Sequence, residues 1–309
     1  MKKLLPLLLT IFIFSGCAAG SEADSAACTI TDDLGRSVSI DNPQRVASLL
    51  GSFSDVWVLA GGELVASVDD AWDDFDLDLG AAVNLGKTKE PSLEKLFESD
   101  PDFVIASANT QADLDMMDTL DAAGIPTAYF DVSDFEDYLR LLKICTGITG
   151  RSDLYEQNGL AIQSRIEESI ARTKAHFGDT PPKVLYLRAS AASIRAKNSH
   201  GNVLGEMLSD LGCVNIADSD DSLLENLSTE HILAQDPDFI FFVQLGDDTE
   251  GTQANIEAFF SEHPAWQELT AVKEGNVYSL DKRLYNLKPN ALWADAYEQL
   301  EEIICENTP

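Results

Sequence analysis

The stretch Ser92-Leu-Glu-Lys-Leu-Phe-Glu-Ser-Asp-Pro-Asp-Phe-Val104 returns as Ser228-Thr-Glu-His-Ile-Leu-Ala-Gln-Asp-Pro-Asp-Phe-Ile240, with the same spacing. In each copy a serine stands where a helix N-cap is expected, and apolar residues recur on one helical face. The Asp-Pro-Asp that follows ends the helix and turns the chain into an apolar strand. A shared helix–turn–strand unit in the two halves of the chain predicts two lobes of related architecture.

Short apolar runs alternate with amphipathic segments around both copies, which is typical of parallel sheets covered by helices. Between Asp153 and about His176 one long helical period takes over, carried by Leu154, Leu160, Ile162, Ile166 and Ile170. We therefore predict an α/β fold: two β/α lobes with parallel-rich sheets, joined by one long α-helix, with a ligand cleft between the lobes. The predicted segments are a signal peptide (1–16), a lipidated cysteine and flexible tether (17–28), an N-terminal lobe (29–150), a linker helix (151–178) and a C-terminal lobe (179–309).

The N-terminus decides the expected compartment. Lys2 and Lys3 precede an apolar run, Leu4 to Phe14, that is too short to span a bilayer and is typical of a signal peptide. Phe14-Ser-Gly-Cys17 resembles a bacterial lipobox, although Phe14 departs from the usual leucine. We predict lipidation of Cys17 and an extracytoplasmic protein held at the cell membrane by its acyl chains alone. The alternative is ordinary secretion.

Composition excludes some partners. The net charge is −32, from 21 basic and 53 acidic side chains. Such a chain is repelled by nucleic acid and by anionic lipid surfaces. Beyond Cys17, four scattered cysteines remain (Cys28, Cys145, Cys213 and Cys305), and their spacing does not distinguish disulfides from isolated buried thiols.

Glu94 and Glu230 occupy matching positions in the first turn of the repeated helix. A carboxylate there interacts favourably with the helix dipole, which is a sufficient structural reason for its presence. The functional interpretation is that each lobe presents one acid to a basic socket on a two-fold symmetric partner.

The repeated units, the strand Arg45-Val-Ala-Ser-Leu, the long central helix and the ending Lys288-Pro-Asn…Trp293…Ala296-Tyr297 together resemble a known family. It comprises the iron-siderophore, haem and cobalamin substrate-binding proteins of ABC importers that have a helical linker between their lobes. The resemblance covers roughly residues 30 to 305. It implies that Glu94 and Glu230 dock onto arginines of a permease dimer, whose ATPase subunits drive import, and that the chain works as a monomer.

Lobes placed side by side form a cleft from the loops at the carboxyl ends of their strands. The residues in those predicted loops are the candidates for ligand contact. They are Ser52, Phe53, Asp70, Trp72, Lys87, Thr88 and Asn109 in the first lobe, and Arg188, Arg195, Lys197, Gln244, Arg283 and Tyr285 in the second.

Positive charge in those loops indicates what charge the ligand carries. Basic residues are scarce, yet two groups fall where the cleft is expected: Arg188, Arg195 and Lys197, and then Lys282, Arg283 and Lys288. A cationic cleft favours an anionic ferric siderophore, unless these are only solvated loop charges. Haem and cobalamin remain alternatives, as does a surface adhesion or sensing lipoprotein without a transport role.

Catalysis and intrinsic cofactors are not expected. His176, His200, His231 and His263 stand far apart, with no carboxylate at metal-ligand spacing. The sequence also lacks the nucleophile-elbow, dinucleotide-binding, P-loop and zinc-protease motifs. We therefore predict a binding protein that carries neither a catalytic residue nor a resident metal.

Overall fold

The computed structural model describes residues 28–219, 223–224 and 227–307. The predicted signal peptide, Cys17 and all of the tether except Cys28 lie outside the described residues. Among the described residues no helix is both long enough and apolar enough to cross a membrane.

The N-terminal lobe is built on a parallel five-stranded sheet. Its strands are β3 (Val46–Ser48), β4 (Leu64–Ser67), β5 (Val83–Asn84), β6 (Phe103–Ser107) and β7 (Thr127–Phe130), in the order β5-β4-β3-β6-β7. Its helices are α1 (Gly51–Leu59), α2 (Asp70–Asp73), α3 (Leu93–Glu98), α4 (Gln111–Ala123) and α5 (Phe135–Thr149). An antiparallel hairpin of β1 (Cys28–Thr31) and β2 (Ser37–Ile40) precedes this sheet and was not predicted from the sequence.

The C-terminal lobe has the same βα character. Its strands are β8 (Lys183–Ala189), β9 (Ile194–Ala196), β10 (Val214–Asn215), β11 (Phe239–Gln244) and β12 (Val277–Leu280). The order is β10-β8-β11-β12 in parallel, and β9 pairs antiparallel with β8. The helices are α8 (Val203–Asp210), α9 (Thr229–Gln235), α10 (Thr249–Glu262), α11 (Thr270–Glu274), α12 (Lys282–Tyr285) and α13 (Trp293–Glu306).

A long helical segment connects the two sheets. It consists of α6 (Ser152–Tyr155), a π-helical turn (Glu156–Leu160) and α7 (Ala161–Phe177). Gly159 lies in the π turn, where a Cβ atom would stand 2.7 Å from Leu139 Cδ1. The glycine therefore allows this segment to pack tightly against α5, and the predicted α/β fold with a helical linker is confirmed.

One hydrophobic core runs through both lobes. It includes Trp57 and Phe130 of the first lobe, Tyr186 and Phe241 of the second, and Trp293 at the start of α13. Exposed ion pairs also hold α13 against α7, from Arg165 to Asp295 and Glu298 and from Arg172 to Glu301. Because exposed pairs contribute little, the shared apolar core is the main connection between the lobes.

Equivalent hydrogen bonds explain the sequence repeat. Ser92 Oγ accepts from the amide of Lys95 (3.3 Å), and Ser228 Oγ accepts from the amide of His231 (3.4 Å). The second aspartate of each Asp-Pro-Asp accepts backbone N–H groups at the start of the neighbouring strand. Asp102 accepts from Gln44 (2.8 Å) and Arg45 (2.9 Å), and Asp238 accepts from Lys183 (2.7 Å). Each repeat thus sets the register between two central strands of its lobe.

Candidate ligand-binding cleft

A cavity of about 1520 Å³ lies between the lobes, near the carboxyl ends of their strands. Loops of the first lobe contribute Leu50, Asp69, Asp70, Asp73, Asp74, Lys87, Thr88, Lys89, Asn109, Thr110, Gln111 and Ala112. The second lobe contributes Gln244, Asp247, Thr249, Ser279, Leu280, Asp281, Lys282 and Leu287. A cavity of this size accommodates a ligand larger than a bare metal ion.

Five of the sequence-predicted candidates line this cavity: Asp70, Lys87, Thr88, Asn109 and Gln244. The remaining candidates do not line it: Ser52, Phe53, Trp72, Arg188, Arg195, Lys197, Arg283 and Tyr285. Phe53 packs edge-on against Phe130, with ring centroids 6.5 Å apart, and Tyr285 Oη donates to Ala296 O (3.0 Å). Both aromatic side chains are buried in the core, so neither presents a surface to a ligand in this structure.

Asp70 is held at the cavity wall by the first lobe's own backbone. Its Oδ1 accepts from the amide of Gly51 (3.0 Å), and Thr88 also bonds to its carboxylate. A Cβ atom on Gly51 would stand 2.6 Å from Ala71 N, so glycine is needed for α1 and α2 to approach this closely. Burial raises the pKa of Asp70 to about 6, although these hydrogen bonds oppose the shift.

Asp113 fixes the loop that carries Asn109. Its Oδ2 accepts from the amide of Ser107 (2.7 Å), and Ser107 Oγ accepts from the amide of Asn109 (3.2 Å). Asp113 is fully buried, and its Oδ1 has no hydrogen-bond partner among the described residues. Burial raises its pKa to about 7, which the bond from Ser107 only partly offsets.

The raised pKa of Asp113 predicts a loss of stability as pH rises. The folded state holds this proton up to about pH 7, whereas the ordinary pKa of an aspartate carboxyl is 3.8. Stability therefore falls as pH rises between those values and stays low above them. We expect Asp113→Asn to remove roughly 2 kcal/mol of the loss between about pH 5 and pH 8. Urea denaturation at both pH values measures the free energy of unfolding. An equal loss of that free energy in the variant and in the wild type would contradict the prediction.

Two predicted cations near the cleft are already paired with carboxylates. Lys282 Nζ lies 2.8 Å from Asp74 Oδ1 and 2.6 Å from Asp247 Oδ1. Arg283 Nη2 lies 3.2 Å from Asp55 Oδ2, and its guanidinium stacks 4.1 Å from the ring centroid of Phe75. Asp74, Asp55 and Phe75 belong to the first lobe, so these contacts tie the lobes together.

Asn290 forms a buried contact between the lobes that was not predicted from the sequence. Its Nδ2 donates to Ser52 O (2.8 Å) and to Asp55 Oδ2 (2.9 Å), and its side chain is fully buried. The backbone of Asn290 is left-handed, with φ of 56°. Asparagine tolerates that conformation better than most residues. This preference is the one feature of the sequence that indicated an unusual backbone conformation here.

Arg188, Lys197 and Lys288 form a second basic group, in which the charge of Arg188 acts on both lysines. Arg188 Nη2 donates to Tyr186 Oη (3.3 Å), while its buried Nε has no partner. Burial, with the charge of Arg188, lowers the pKa of Lys197; burial is also the main cause of the lowered pKa of Lys288, where Asp131 opposes it. None of the three lines the cavity. Of the two predicted basic clusters, only Lys282 lies among the described residues that line this cavity, and it is paired with Asp74 and Asp247.

Glu94 and Glu230 stand on the surface, one on each lobe. Each is the second residue of its helix, α3 or α9, and each is exposed. Within the described part of the chain neither forms an ion pair. Both carboxylates are therefore accessible to a partner.

Metal ligands and disulfides do not build the site. Among the described residues no group of three or more His, Cys, Asp or Glu side chains is arranged to hold a metal ion. Cys28, Cys145, Cys213 and Cys305 are free thiols in this structure.

A family model described as "Periplasmic binding protein" matches residues 46–284, which includes both sheets and the linker. The chain belongs to the periplasmic binding protein family. This confirms the family predicted from the repeat, the linker and the chain ending.

Individual relatives are distant but cover the chain almost fully. The putative ABC transporter substrate-binding lipoprotein YhfQ of Bacillus subtilis is 24% identical over 96% of both chains. The Fe(3+)-citrate-binding protein YfmC of the same organism is 25% identical over 89% of this chain and 87% of its own.

Solved structures show the same fold. Staphylococcus aureus SirA complexed with staphyloferrin B matches with a TM-score of 0.69 and 24% identity, over 91% of this chain and 98% of SirA. The vitamin B12 binding protein BtuF of Vibrio cholerae matches with a TM-score of 0.68 and 19% identity, over 86% of this chain and 99% of BtuF.

Proposed function

We propose that this chain is the extracytoplasmic substrate-binding component of an ABC importer and that it captures a ferric-siderophore-type iron complex. The observation that carries the proposal is the interlobe cavity of about 1520 Å³, in a chain of the periplasmic binding protein family. The names of the relatives support the cargo, since they include a Fe(3+)-citrate-binding protein and an achromobactin-binding periplasmic protein.

Haem and cobalamin are the alternative cargoes, because a haem-bound IsdE and BtuF share the fold. Among the described residues, the cavity lining contains no histidine, methionine, cysteine or tyrosine that would serve as an axial ligand to haem iron. That favours an iron complex whose metal is already fully coordinated by its own chelator.

Membrane attachment is the part of the proposal that rests on sequence alone. Cleavage before Cys17 and its acylation would leave a short polar tether between the membrane and β1. The relative YhfQ is named as a lipoprotein, which supports this assignment.

Delivery needs a partner. We assign Glu94 and Glu230 to docking, one on each subunit of a permease dimer, with ATP hydrolysis in separate subunits. The lobes share a core and the Arg283–Asp55 contact, so only small lobe movements are expected on loading. Contacts with the permease that spread the lobes would lower ligand affinity and release the cargo.

The test is uptake of ⁵⁵Fe-labelled complexes by cells that lack the protein and by the same cells complemented with it. We expect uptake of at least one ferric complex to depend on the chain, and a Cys17→Ala variant to restore it poorly because the protein is no longer retained at the membrane. Equal uptake of every ferric complex with and without the protein would contradict the proposal. Dependence of cobalamin or haem uptake instead would identify the alternative cargo.

A further inference from the structure

The walls of the interlobe cavity are acidic. In the part of the chain that the structure describes, six carboxylates line it (Asp69, Asp70, Asp73, Asp74, Asp247 and Asp281) against three ammonium groups (Lys87, Lys89 and Lys282), and no arginine does. The excess of negative charge has the same sign as the net charge of the whole chain, −32. The net charge of the chain as a whole therefore does not offset it.

The best-placed cation is already neutralised. Lys282 Nζ is 2.8 Å from Asp74 Oδ1 and 2.6 Å from Asp247 Oδ1, so two carboxylates share one ammonium group. Asp281 accepts the amides of Arg283 and Leu284 at the start of α12. In the described part of the chain Asp69, Asp70 and Asp73 form no ion pair and are left facing the cavity.

The three arginines predicted for the cleft are not among the described residues that line the cavity. Arg283 is occupied by Asp55 and Phe75. Arg188 lies outside the lining and contacts Tyr186, and Arg195 is an exposed residue of β9. Within the described ranges, the cavity wall thus contains none of the fork-shaped donors suited to bidentate carboxylate binding.

We propose that this cleft selects ferric complexes that carry no net negative charge, and disfavours complexes with carboxylates on their periphery. The inference rests on the proposed function and narrows its substrate class. A cationic complex relieves the repulsion among the unpaired aspartates, a neutral complex adds none, and an added carboxylate increases it in a cleft where water is partly excluded. The selectivity is opposite to that expected from the basic clusters in the sequence.

Three ferric trihydroxamates with the same iron centre provide the test. Ferrioxamine B carries a free ammonium group, its N-acetyl derivative is neutral, and its N-succinyl derivative carries a carboxylate. We expect the Kd for the full chain in a neutral detergent to rise in that order, by about tenfold or more from the first to the last. The difference should shrink at about 0.5 M NaCl, because salt screens charge.

Two variants test whether the aspartates that line the cavity cause the charge selectivity. The double change Asp69→Asn and Asp73→Asn should reduce the ratio of the Kd values mainly by improving binding of the succinyl derivative. Asp118→Asn removes an exposed carboxylate of α4 that does not line the cavity, and should leave the ratio unchanged. Thermal melting of each variant shows whether it is folded.

The outcomes separate the two proposals. Equal affinity for the three complexes, or tightest binding of the succinyl derivative, would overturn the charge selectivity while establishing that the chain binds ferric complexes. Binding of none of the three would overturn the inference, whereas the iron-complex assignment would still be decided by the uptake of other ⁵⁵Fe-labelled complexes. An unchanged ratio in the double variant would also overturn the inference, because the lining aspartates would then not be its cause.

Discussion

Replacing Glu94 and Glu230 together by arginine is expected to reduce import of the iron complex to the level of cells without the protein, while the Kd for that complex stays unchanged. Both carboxylates are exposed and neither lines the cavity. Two arginines facing the basic sockets expected on the permease would replace attraction with repulsion on both lobes. Each single replacement should reduce import partially, since the other lobe still docks.

The matched control is Glu98→Arg combined with Glu262→Arg. These residues are also exposed, and the pair changes the net charge by the same amount. Import should then stay close to that of the wild type. Import by the Glu94/Glu230 double variant at half the wild-type rate or more would contradict the docking assignment, and a parallel loss of ligand affinity would place the defect in the cleft instead.

Trp293→Ala is expected to destabilise both lobes at once, by about 3–5 kcal/mol. The side chain is fully buried, and its ring centroid lies 6.0 Å from the ring centroid of Phe135 and 6.4 Å from that of Tyr297. Because the same core includes residues of both sheets, a cavity at this position should weaken the whole molecule. The measurement is urea denaturation followed by circular dichroism and by tryptophan fluorescence.

The neighbouring Leu292→Ala serves as the control, since Leu292 is 38% exposed, and it should change stability by less than about 1 kcal/mol. Trp293→Phe should cost less than the alanine change, because it fills most of the space and removes a buried indole N–H that has no partner. Two separate unfolding transitions, with only one of them shifted by Trp293→Ala, would contradict the shared core.

The fold was predictable because its signals are local. The serine caps and the Asp-Pro-Asp turns each act within a few residues, and the structure contains them where the sequence indicated. The hairpin of β1 and β2 was missed, since it is made of short strands whose pairing depends on a turn and on the body of the lobe beside it.

The cleft was only partly predictable because its charges depend on contacts distant in sequence. Asp70, Lys87 and Gln244 lie at or just after the carboxyl ends of strands, and this position alone is enough to predict that they line the cavity. The pairing of Arg283 with Asp55 and of Lys282 with Asp74 joins residues of different lobes. Nothing near Arg283 or Lys282 in the sequence indicated that these cations would be neutralised, and so the basic clusters suggested a cationic lining.

The central claim is that the interlobe cavity of this chain holds one molecule of an iron complex. Native mass spectrometry of residues 28–309, which include every described element, tests it most directly after incubation with ferric siderophores of each charge class, haemin and cobalamins. We predict retention of a ferric complex at a one-to-one ratio, with the best retention for a complex without net negative charge. Retention of haemin or a cobalamin alone, or of none of these compounds, would contradict the claim.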